Sequence, residues 1–485
     1  MRVLLLQAAK HDRSVERTPP LGLLYLASWL RGRGHEVSLF DLRVFADCDV
    51  RRAEPAIRRA DPQVVGISSH SPESPAMFEL ARTVKRWRPD VPVVVGGSYA
   101  TNFPRSVLEA CPEIDAVVVG EGEETFAELV ESWRDRGTFR DVPGCWFRDG
   151  GGVRAAPPRP PIRDLDSLPF PAWDLADLPA YWRFPRIGVI AARREYMIVC
   201  TARGCPFRCA YCHHHMGRVW RPRGADNVVE ELRRLARGHG VGEIVIVDDT
   251  FNLDRERVLA ICDGIRRAGL RLALTFPTGI RGDLLDDRAL EALAGAGTYR
   301  MMFSIETASE RLQKMIRRDT DFPAMERAMR KAASLGMLLH GAIMLGLPTE
   351  TEPEMRRTMR YVLDSPLHTV GVYRAAPYPG TDLAQIAREH GVRVPDVEPT
   401  LSLWEAGVNL SAEPLETVNR VSRLIYVRFY GDPRRLIALI VRLPNRLRMV
   451  PLLVGFFFRN LRRYRYTWRV ESATARPEKS AVAGS

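Results

Sequence analysis

The sequence predicts a mixed α/β protein with two large domains, each built around a parallel sheet, and a helical region at the C-terminal end. At 485 residues the chain is too long for one ordinary core. Apolar runs of strand length alternate with amphipathic helical stretches twice along the chain, and a proline-rich segment separates the two series. We therefore expect a doubly wound, Rossmann-like domain at 1–140, a linker at 141–190, a partial (β/α) barrel at 191–395, a helical region at 396–470 and a disordered tail at 471–485.

Five short apolar runs define the first domain. Helical stretches separate them, and near-continuous apolar strands alternating with helices are typical of a parallel sheet covered on both faces. The predicted strands are 2–8, 36–42, 63–68, 92–97 and 115–120, and the predicted helices include 21–33, 75–87 and 123–135.

Small and polar residues follow three of these strands. Ligands of doubly wound sheets bind outside the carboxyl ends of the strands, and small residues there let a large planar ligand approach the backbone. The alternative is that the glycines only make tight turns. The candidate ligand-binding residues at this edge are Ser69, His70, Gly96, Gly97, Gly120, Glu121 and Gly122.

The second domain follows the proline-, glycine- and arginine-rich segment 141–190, which we interpret as a crossing linker with little regular structure. Six strand and helix units then favour a full or partial barrel, whose active site would lie at the carboxyl ends of the strands. The predicted strands are 196–200, 243–248, 272–276, 300–305, 338–344 and 370–374, and the predicted helices include 226–237, 254–268, 287–295 and 322–335.

The region after residue 395 mixes apolar runs with arginines, most strongly over 433–463. Arg442, Pro444, Arg446 and Arg448 interrupt any apolar run long enough to span a membrane. Basic amphipathic helices of this kind can touch a membrane surface or line a route for a lipid-like substrate, and a helical cap packed on the barrel is the alternative.

Composition excludes several broad classes. Hydrophobic residues at 46% and charged residues at 27% argue against a disordered chain and against a multi-span membrane protein. The net charge of +12 comes mainly from arginine and is spread along the chain, so we predict no nucleic-acid partner, and genome composition accounts for the charge. The N-terminus runs directly into a strand pattern without the ordered regions of an export signal.

The eight cysteines do not resemble a secreted disulfide framework, because three of them crowd into eight positions. A reducing cytoplasm is the expected compartment. Cys200 lies in a predicted strand and Cys262 in a predicted helix, where a packed apolar thiol is the default. Cys48, Cys111 and Cys145 have no ligand spacing.

The three crowded cysteines form a C-x3-C-x2-C arrangement, Cys205, Cys209 and Cys212, on a loop just after an apolar strand. Iron-sulfur clusters take thiolate ligands, and three thiolates leave one iron of a 4Fe-4S cluster open for another molecule. The competing interpretations are a structural zinc site, with a fourth ligand from His213–His215, and an electron-transfer cluster with a fourth ligand.

With these motifs the chain resembles the radical S-adenosylmethionine (SAM) superfamily from Thr201 to about Thr381, and its cobalamin-binding branch over residues 1 to about 390. The cysteine motif is specific by itself, whereas the other motifs carry the resemblance through their order. They are Pro19-Pro20-Leu21-Gly22, Gly96-Gly97, Gly120-Glu121-Gly122-Glu123, Asp248-Asp249-Thr250-Phe251-Asn252, Ser304-Ile305-Glu306-Thr307, Gly346-Leu347-Pro348-Thr349-Glu350-Thr351 and Pro377-Tyr378-Pro379-Gly380-Thr381.

The resemblance implies a set of SAM-binding residues. An aspartate at the second strand end can take a charge-assisted bond from the SAM amino group. The glutamate at a later strand end is similar to residues that hold the ribose, and the Gly-Leu-Pro backbone and a tyrosine would meet the adenine. The implied SAM-binding residues are Tyr211, Asp248, Asp249, Ser304, Glu306 and Gly346.

The resemblance also implies a cobalamin cofactor on the strand ends of the first domain. The chain lacks the D-x-H-x-x-G motif whose histidine ligates cobalt from below, and His11 and His70 have the wrong neighbours. Much of the radical SAM branch is similar in lacking it. This departure suggests a base-off corrinoid with no protein histidine beneath the cobalt.

The activity implied by the resemblance is reductive cleavage of SAM at a 4Fe-4S cluster, leading to cobalamin-dependent methylation of an unactivated carbon. Radical cyclisation or rearrangement is the alternative outcome, and a non-catalytic corrinoid or iron-sulfur sensor is a third. The implied partners are a small-molecule substrate, which the arginine-rich helices suggest is hydrophobic, and an electron donor such as flavodoxin or ferredoxin.

Overall fold

The computed structural model describes residues 1–9, 17–184, 190–394, 408–447, 449–451 and 455. The first domain is a seven-stranded sheet in the order β2-β1-β3-β4-β5-β6-β7. The first five strands pair in parallel and the last two are antiparallel. The strands are β1 Arg2–Gln7, β2 Glu36–Asp41, β3 Val64–Ser68, β4 Val93–Gly96, β5 Ala116–Val118, β6 Cys145–Asp149 and β7 Gly152–Ala155.

Both faces of this sheet are buried. Along β1, Leu4 and Leu6 enter one apolar cluster while Val3 and Leu5 enter another. This is the doubly covered sheet that the apolar strands predict. The helices of this part of the chain are α1 Leu21–Arg31, α2 Ala53–Ala60, α3 Ser74–Trp87, α4 Ser98–Asn102, α5 Pro104–Ala110, α6 Gly122–Arg136 and α7 Leu178–Tyr181.

The segment predicted as a linker begins inside this domain. Its strands β6 and β7 form a hairpin that extends the first sheet. Strand β6 pairs with β5, where Trp146 lies opposite Val117. The expected boundary at 140 and the expectation of little regular structure are therefore wrong here. The hairpin covers the edge of β5, which would otherwise leave backbone donors and acceptors unpaired.

The second domain is an open sheet of six parallel strands in the order β15-β14-β13-β12-β11-β8, with a separate two-stranded ribbon formed by β9 and β10. It is a partial barrel, as predicted. The strands are β8 Tyr196–Val199, β9 Ala202–Arg203, β10 Arg221–Pro222, β11 Glu243–Ile246, β12 Ala273–Phe276, β13 Thr298–Glu306, β14 Leu338–Leu345 and β15 Thr369–Arg374.

Amphipathic helices follow these strands, and several begin at a residue whose side chain accepts a backbone N–H, among them Asp254, Asp286 and Asp321. The helices are α8 Ala225–Gly238, α9 Arg255–Arg267, α10 Asp287–Gly295, α11 Glu310–Met315, α12 Phe322–Ser334, α13 Glu352–Asp364, α14 Asp382–Glu389, α15 Leu415–Tyr430 and α16 Pro433–Arg442.

The described part of the C-terminal region consists of the irregular segment 408–414 followed by mainly helical residues, including α15 and α16. Helix α15 packs against the second sheet through Val421, Ile425 and Phe429, which are fully buried. Across the described ranges, no helix has the length and apolarity to cross a membrane. The predicted tail at 471–485 lies outside the described residues.

Candidate functional site

A cavity of about 250 Å³ lies where the carboxyl ends of the two sheets face each other. The first domain contributes residues from α4, which follows β4, and the second contributes the cysteine loop and the start of α14. The lining is mostly polar. It consists of Thr101, Asn102, Cys209, Cys212, His213, His214, His215, Arg218, Gly380 and Asp382.

The cysteine loop is anchored at its start and its middle. Gly204 has φ of +85°, and a Cβ there would lie 2.2 Å from the carbonyl oxygen of Val219, so the turn requires glycine. In the middle, Ala210 donates its amide to the carbonyl of Ile316 at 2.9 Å and accepts the amide of Leu383 at 2.7 Å. The loop therefore rests on the second domain, not in solvent.

Two of the three thiols line the cavity. The pKa of Cys209 is lowered to about 6, mainly by a hydrogen bond from the Cys212 thiol. The Arg318 guanidinium, 4.0 Å from the Cys209 sulfur, acts in the same direction, and burial opposes both. A thiol that ionises near neutral pH is ready to bind iron. Cys205 lies to one side, where its sulfur accepts the hydroxyl of Thr250 at 3.2 Å.

Within the described ranges, no three Cys, His, Asp or Glu side chains already stand at metal-ligating spacing. The donor set nonetheless fits an iron-sulfur cluster. Three thiols share one short loop, two of them open into the cavity, and metal binding itself orders such loops. The assignment of Cys205, Cys209 and Cys212 as cluster ligands stays a prediction.

Strand β13 ends in a strained residue next to this loop. The pairing of β13 with β14 shifts between Ser304 and Glu306, and Glu306 has φ of 62°. The Tyr211 hydroxyl donates to the Glu306 carboxylate at 3.1 Å, and Arg318 donates to the Tyr211 hydroxyl at 3.1 Å and to the Ser304 carbonyl at 2.8 Å. Such strain persists where surrounding contacts hold it and is frequent at functional sites.

The two aspartates at the end of β11 differ in their surroundings. Asp248 is buried and accepts both the amide and the hydroxyl of Thr201 at 2.5 Å, and burial raises its pKa to about 6. Asp249 is exposed and accepts the amide of Gly204 at 3.1 Å. Of the two predicted SAM-amino-group ligands, Asp248 is thus committed to holding the end of β8, and Asp249 is the one within reach of a ligand.

The turn after β14 does not leave its backbone amides free for an adenine. The amides of Gly346 and Leu347 donate to one oxygen of Glu350, at 2.6 and 3.1 Å. The other oxygen of Glu350 is buried without a hydrogen-bond partner, and burial raises the pKa of this carboxyl to about 8. Glu350 therefore shapes the turn mainly as a neutral carboxylic acid.

The strand ends of the first domain present a largely bare edge. Gly120 has φ of +80° with open space around its Cβ position, and its amide donates to the Thr101 hydroxyl at 3.1 Å. His70 is exposed there, and its Nδ1 lies 3.1 Å from the Ser98 hydroxyl. A flat ligand can lie on such an edge, so the residues fit the predicted corrinoid.

Other predicted corrinoid residues have structural roles. Ser69 is buried and donates its hydroxyl to the Met77 sulfur at 3.1 Å. Gly96 ends β4, and a Cβ on Gly97 would lie 2.5 Å from the Ser69 carbonyl oxygen. Gly122 begins α6. These residues build the turns at the edge, as the alternative interpretation of the glycines proposed.

Glu121 is not available to a cofactor. Its carboxylate lies 3.2 Å from Arg203 and 2.8 Å from Arg221, and it accepts the Ile162 amide at 2.8 Å. Arg203 also pairs with Glu123 at 2.6 Å. All four charged side chains are between 6% and 8% exposed, so this cluster is a buried ionic contact between the two domains.

The histidines after the cysteine motif point into the same cavity. His213 lies 2.9 Å from the Pro379 carbonyl through Nε2, and its ring lies 5.1 Å from that of His215. Burial, and then the neighbouring His213 and His70, lower the pKa of His215 to about 4. This imidazole is neutral at neutral pH and can accept a hydrogen bond from a ligand.

Sequence patterns did not identify Arg318, which donates to the Tyr211 hydroxyl. Thr250 and Glu350 lie within motifs named above, but sequence patterns assigned no role to either, and they contact Cys205 and Gly346 respectively. These roles depend on partners distant in sequence or on burial. The sequence did contain a signal for the ion pairs of Arg203 and Arg221. These two arginines flank the cysteine loop, and the acidic run Gly120-Glu121-Gly122-Glu123 could have been predicted to pair with them.

Two family models match this chain. The B12 binding domain matches residues 12–130, and the radical SAM superfamily matches residues 199–362. The first match covers strands β2 to β5 of the doubly wound sheet with their helices, and the second covers the cysteine loop and most of the partial barrel. The fold and the site thus define an enzyme class that joins a corrinoid-binding domain to a radical SAM domain.

The relatives and solved structures agree. An uncharacterised methyltransferase of Pyrococcus horikoshii is 31% identical over 86% of this chain and 89% of its own length. An anaerobic magnesium-protoporphyrin IX monomethyl ester cyclase of Rubrivivax gelatinosus is 27% identical over 79% of this chain and 70% of its own length. The structure of the radical SAM methyltransferase TsrM of Kitasatospora setae matches with a TM-score of 0.68 and 21% identity, covering 80% of this chain and 76% of that one.

The chain belongs to the cobalamin-binding-domain-containing radical SAM enzyme family. The family, the fold class and the cofactors predicted from the sequence, namely a 4Fe-4S cluster, SAM and cobalamin, are confirmed.

Proposed function

We propose that this protein cleaves SAM reductively and methylates an unactivated carbon of a small molecule with the help of cobalamin. One observation carries the proposal: the cysteine loop of the radical SAM domain and the strand ends of the corrinoid domain open into one cavity. A methyl group held on the first domain and a substrate activated at the second would meet there without crossing bulk water.

Methylation is favoured over the alternative outcomes. The relative that combines 31% identity with nearly full coverage of both chains is named a methyltransferase, whereas the cyclase shares 27% identity over less of each chain. A sensor without catalysis would leave the ionisable Cys209 thiol and the strained Glu306 without a use.

The residues of the cavity have distinct proposed roles. When bound, the cluster supplies the electron that cleaves SAM and the corrinoid supplies the methyl group. Cys205, Cys209 and Cys212 hold the cluster, and the Arg318 guanidinium, 4.0 Å from the Cys209 sulfur, adds to the effect of Cys212 in favouring the thiolate form of Cys209. Glu306, oriented by the Tyr211 hydroxyl, accepts from the SAM ribose hydroxyls. These are the groups that position SAM beside the loop.

The polar lining sets the kind of substrate. His214, Arg218 and Asp382 line the cavity, so a substrate with polar or charged groups fits it better than the purely hydrophobic one that the arginine-rich helices suggested. The electron would come from a small redox protein such as flavodoxin or ferredoxin, in the cytoplasm.

The test is anaerobic reconstitution of the full chain with iron, sulfide and hydroxocobalamin, followed by desalting. We expect cluster and corrinoid absorption, release of 5'-deoxyadenosine after addition of dithionite and SAM, and transfer of the labelled SAM methyl group to the corrinoid. Deoxyadenosine without any methyl transfer would contradict the methylation and favour cyclisation or rearrangement.

Cysteine variants supply the control. Replacing Cys205, Cys209 and Cys212 together with alanine should remove the cluster absorption and all SAM cleavage. Cys111→Ala, which changes a buried thiol of the first domain far from the loop, should retain both. SAM cleavage by the triple variant would refute the cluster assignment.

A further inference from the structure

Helix α16 is docked on the second domain by one face. Leu439 is 7% exposed and packs in an apolar cluster with Leu338, at the start of β14. Arg435 donates to the Leu367 carbonyl at 2.8 Å, and Arg442 donates to the Ala333 carbonyl at 3.2 Å. These contacts fix which side of the helix faces outward.

The outward side is apolar. Leu436, Ile437, Ile440 and Val441 have the spacing of one helical stripe and are all exposed, and Ile437 is 62% exposed. The next exposed apolar residue along the chain, Leu447, is 97% exposed. Ten large apolar side chains are exposed in the part of the chain that the structure describes, and five of them fall within this short stretch. Scattered apolar residues need no explanation, but a contiguous stripe of this kind does.

Most of the charge around the stripe is positive, and the nearby acidic residue Asp432 caps the start of the helix and pairs with Arg435 at 3.8 Å. Arg434 and Arg446 are exposed at its two ends. The sequence over 433–470 contains arginine at 434, 435, 442, 446, 448, 459, 462, 463, 465 and 469 and no acidic residue. Apolar side chains flanked by arginines, with tryptophan and tyrosine nearby in the sequence, fit the interface of an anionic bilayer. A nucleic acid would match the arginines but would leave the apolar stripe uncovered.

We propose that the outward face of α16, with the exposed Arg434 and Arg446 at its two ends, docks on a membrane surface containing anionic phospholipid. Helix α16 lies at the amino ends of the strands of the second sheet, because it contacts Leu338, which begins β14, and Leu367, which precedes β15. The cavity lies at the carboxyl ends. The surface therefore localises the enzyme without taking part in catalysis, and its loss leaves SAM cleavage intact.

The test is sedimentation of the full reconstituted chain with two kinds of vesicle, phosphatidylcholine alone and phosphatidylcholine with about one third phosphatidylglycerol. We expect binding to the anionic vesicles only, weakened by added salt because the arginine contribution is screened. Ile437→Asp combined with Ile440→Asp should lower the binding constant at least about tenfold. Leu284→Asp, a matched control on an equally open leucine at 46% exposure, should not.

A second variant guards against misfolding. Arg434→Gln with Arg446→Gln should weaken binding to the anionic vesicles and reduce its salt dependence while leaving the helix packing untouched. All variants should still release 5'-deoxyadenosine, so a failure of the docking proposal is distinguishable from a failure of the proposed reaction. Failure of the wild-type protein to bind the anionic vesicles, or binding that is unchanged in both variants, would overturn the proposal. So would a change from dimer to monomer in the isoleucine variant, because a second copy would then cover the stripe.

Discussion

Replacing Glu121 by glutamine would remove one negative charge from the buried cluster that joins the two domains. The cluster contains two carboxylates and two guanidiniums, so it is balanced as it stands. The substitution preserves the shape of the side chain and an oxygen for the Ile162 amide. It leaves Arg203 with Glu123 as its partner but removes the charge opposite Arg221.

The magnitude follows from burial. Breaking a buried ion pair by removing one partner costs about 3–5 kcal/mol, because the remaining charge stays desolvated. With an oxygen retained at position 121, we expect about 3 kcal/mol. For a unit of 150–250 residues this corresponds to a fall in the unfolding midpoint of roughly 6–12 °C.

A matched control lies on the surface. Glu230 on α8 also pairs with two arginines, Arg233 and Arg234, both at 2.7 Å, but the three side chains are between 33% and 58% exposed. Glu230→Gln should cost at most about 1 kcal/mol, because exposed ion pairs contribute little. Scanning calorimetry of both variants measures the difference. Equal midpoints for the two variants would refute the argument from burial.

The pH dependence gives an independent check. Burial raises the pKa of Glu121, but the hydrogen bond from Arg221 and the positive charge of Arg203 lower it by more, so the pKa of Glu121 is below its ordinary value. A carboxyl with a lowered pKa stabilises the folded state above the pKa of the unfolded chain, and this stabilisation is lost as the pH falls through the folded-state pKa. The midpoints of the wild type and Glu121→Gln should therefore converge in acid.

Three further outcomes are expected. Gly204→Ala should prevent retention of the cluster on desalting, because the new Cβ would clash with the Val219 carbonyl. Gly336→Ala is the control, since Gly336 has the same φ of +85° but open space around it, and this variant should retain the cluster and lose about 1 kcal/mol of stability in an unfolding titration. Equal cluster content in the two variants would show that the contact with Val219 is unimportant. Burial raises the pKa of Glu350 from its ordinary 4.5 to about 8 in the folded protein. The wild type should therefore lose stability between about pH 4.5 and pH 8, because the carboxyl of the unfolded chain ionises there while the folded one stays protonated. Glu350→Gln should flatten that loss, and parallel profiles would contradict the assignment. Glu306→Gln should weaken SAM binding to the reconstituted protein by roughly tenfold or more, which is the loss expected for a hydrogen bond to a charged group. Equilibrium dialysis measures this binding, and an unchanged binding constant would show that Glu306 is not part of the SAM site.

Much of the architecture was predictable from local pattern. Strands such as Glu36–Asp41 and helices such as Asp287–Gly295 lie within about two residues of their predicted bounds, because apolar periodicity reports which faces of an element are buried. The cysteine spacing likewise indicated the kind of centre, since three thiolates in one short loop suit a 4Fe-4S cluster with one open iron, and the order of the other motifs favoured this cluster over a zinc site.

The roles of individual polar residues depended on the tertiary structure. Glu121 looked like a cofactor ligand in the sequence, but Arg203, 82 positions away, takes its carboxylate. Asp248 and Asp249 are neighbours of one type, yet only Asp248 meets Thr201, 47 positions earlier. Whether a carboxylate binds a ligand or serves as a structural partner depends on which cations and amides the fold places within hydrogen-bonding distance of it. Those groups come from segments distant in the sequence.

The amino-acid sequence by itself determined the two-domain α/β organisation and the family and predicted the three cysteine ligands, because these depend on periodicity and on residues close together in the chain. The meeting of the two sheet edges in one cavity, the ionic contact at Glu121, the strain at Glu306 and the outward apolar stripe of α16 were decided only by the tertiary structure. The physical reason is that burial and charge pairing are properties of the folded surroundings, and no local pattern contains them.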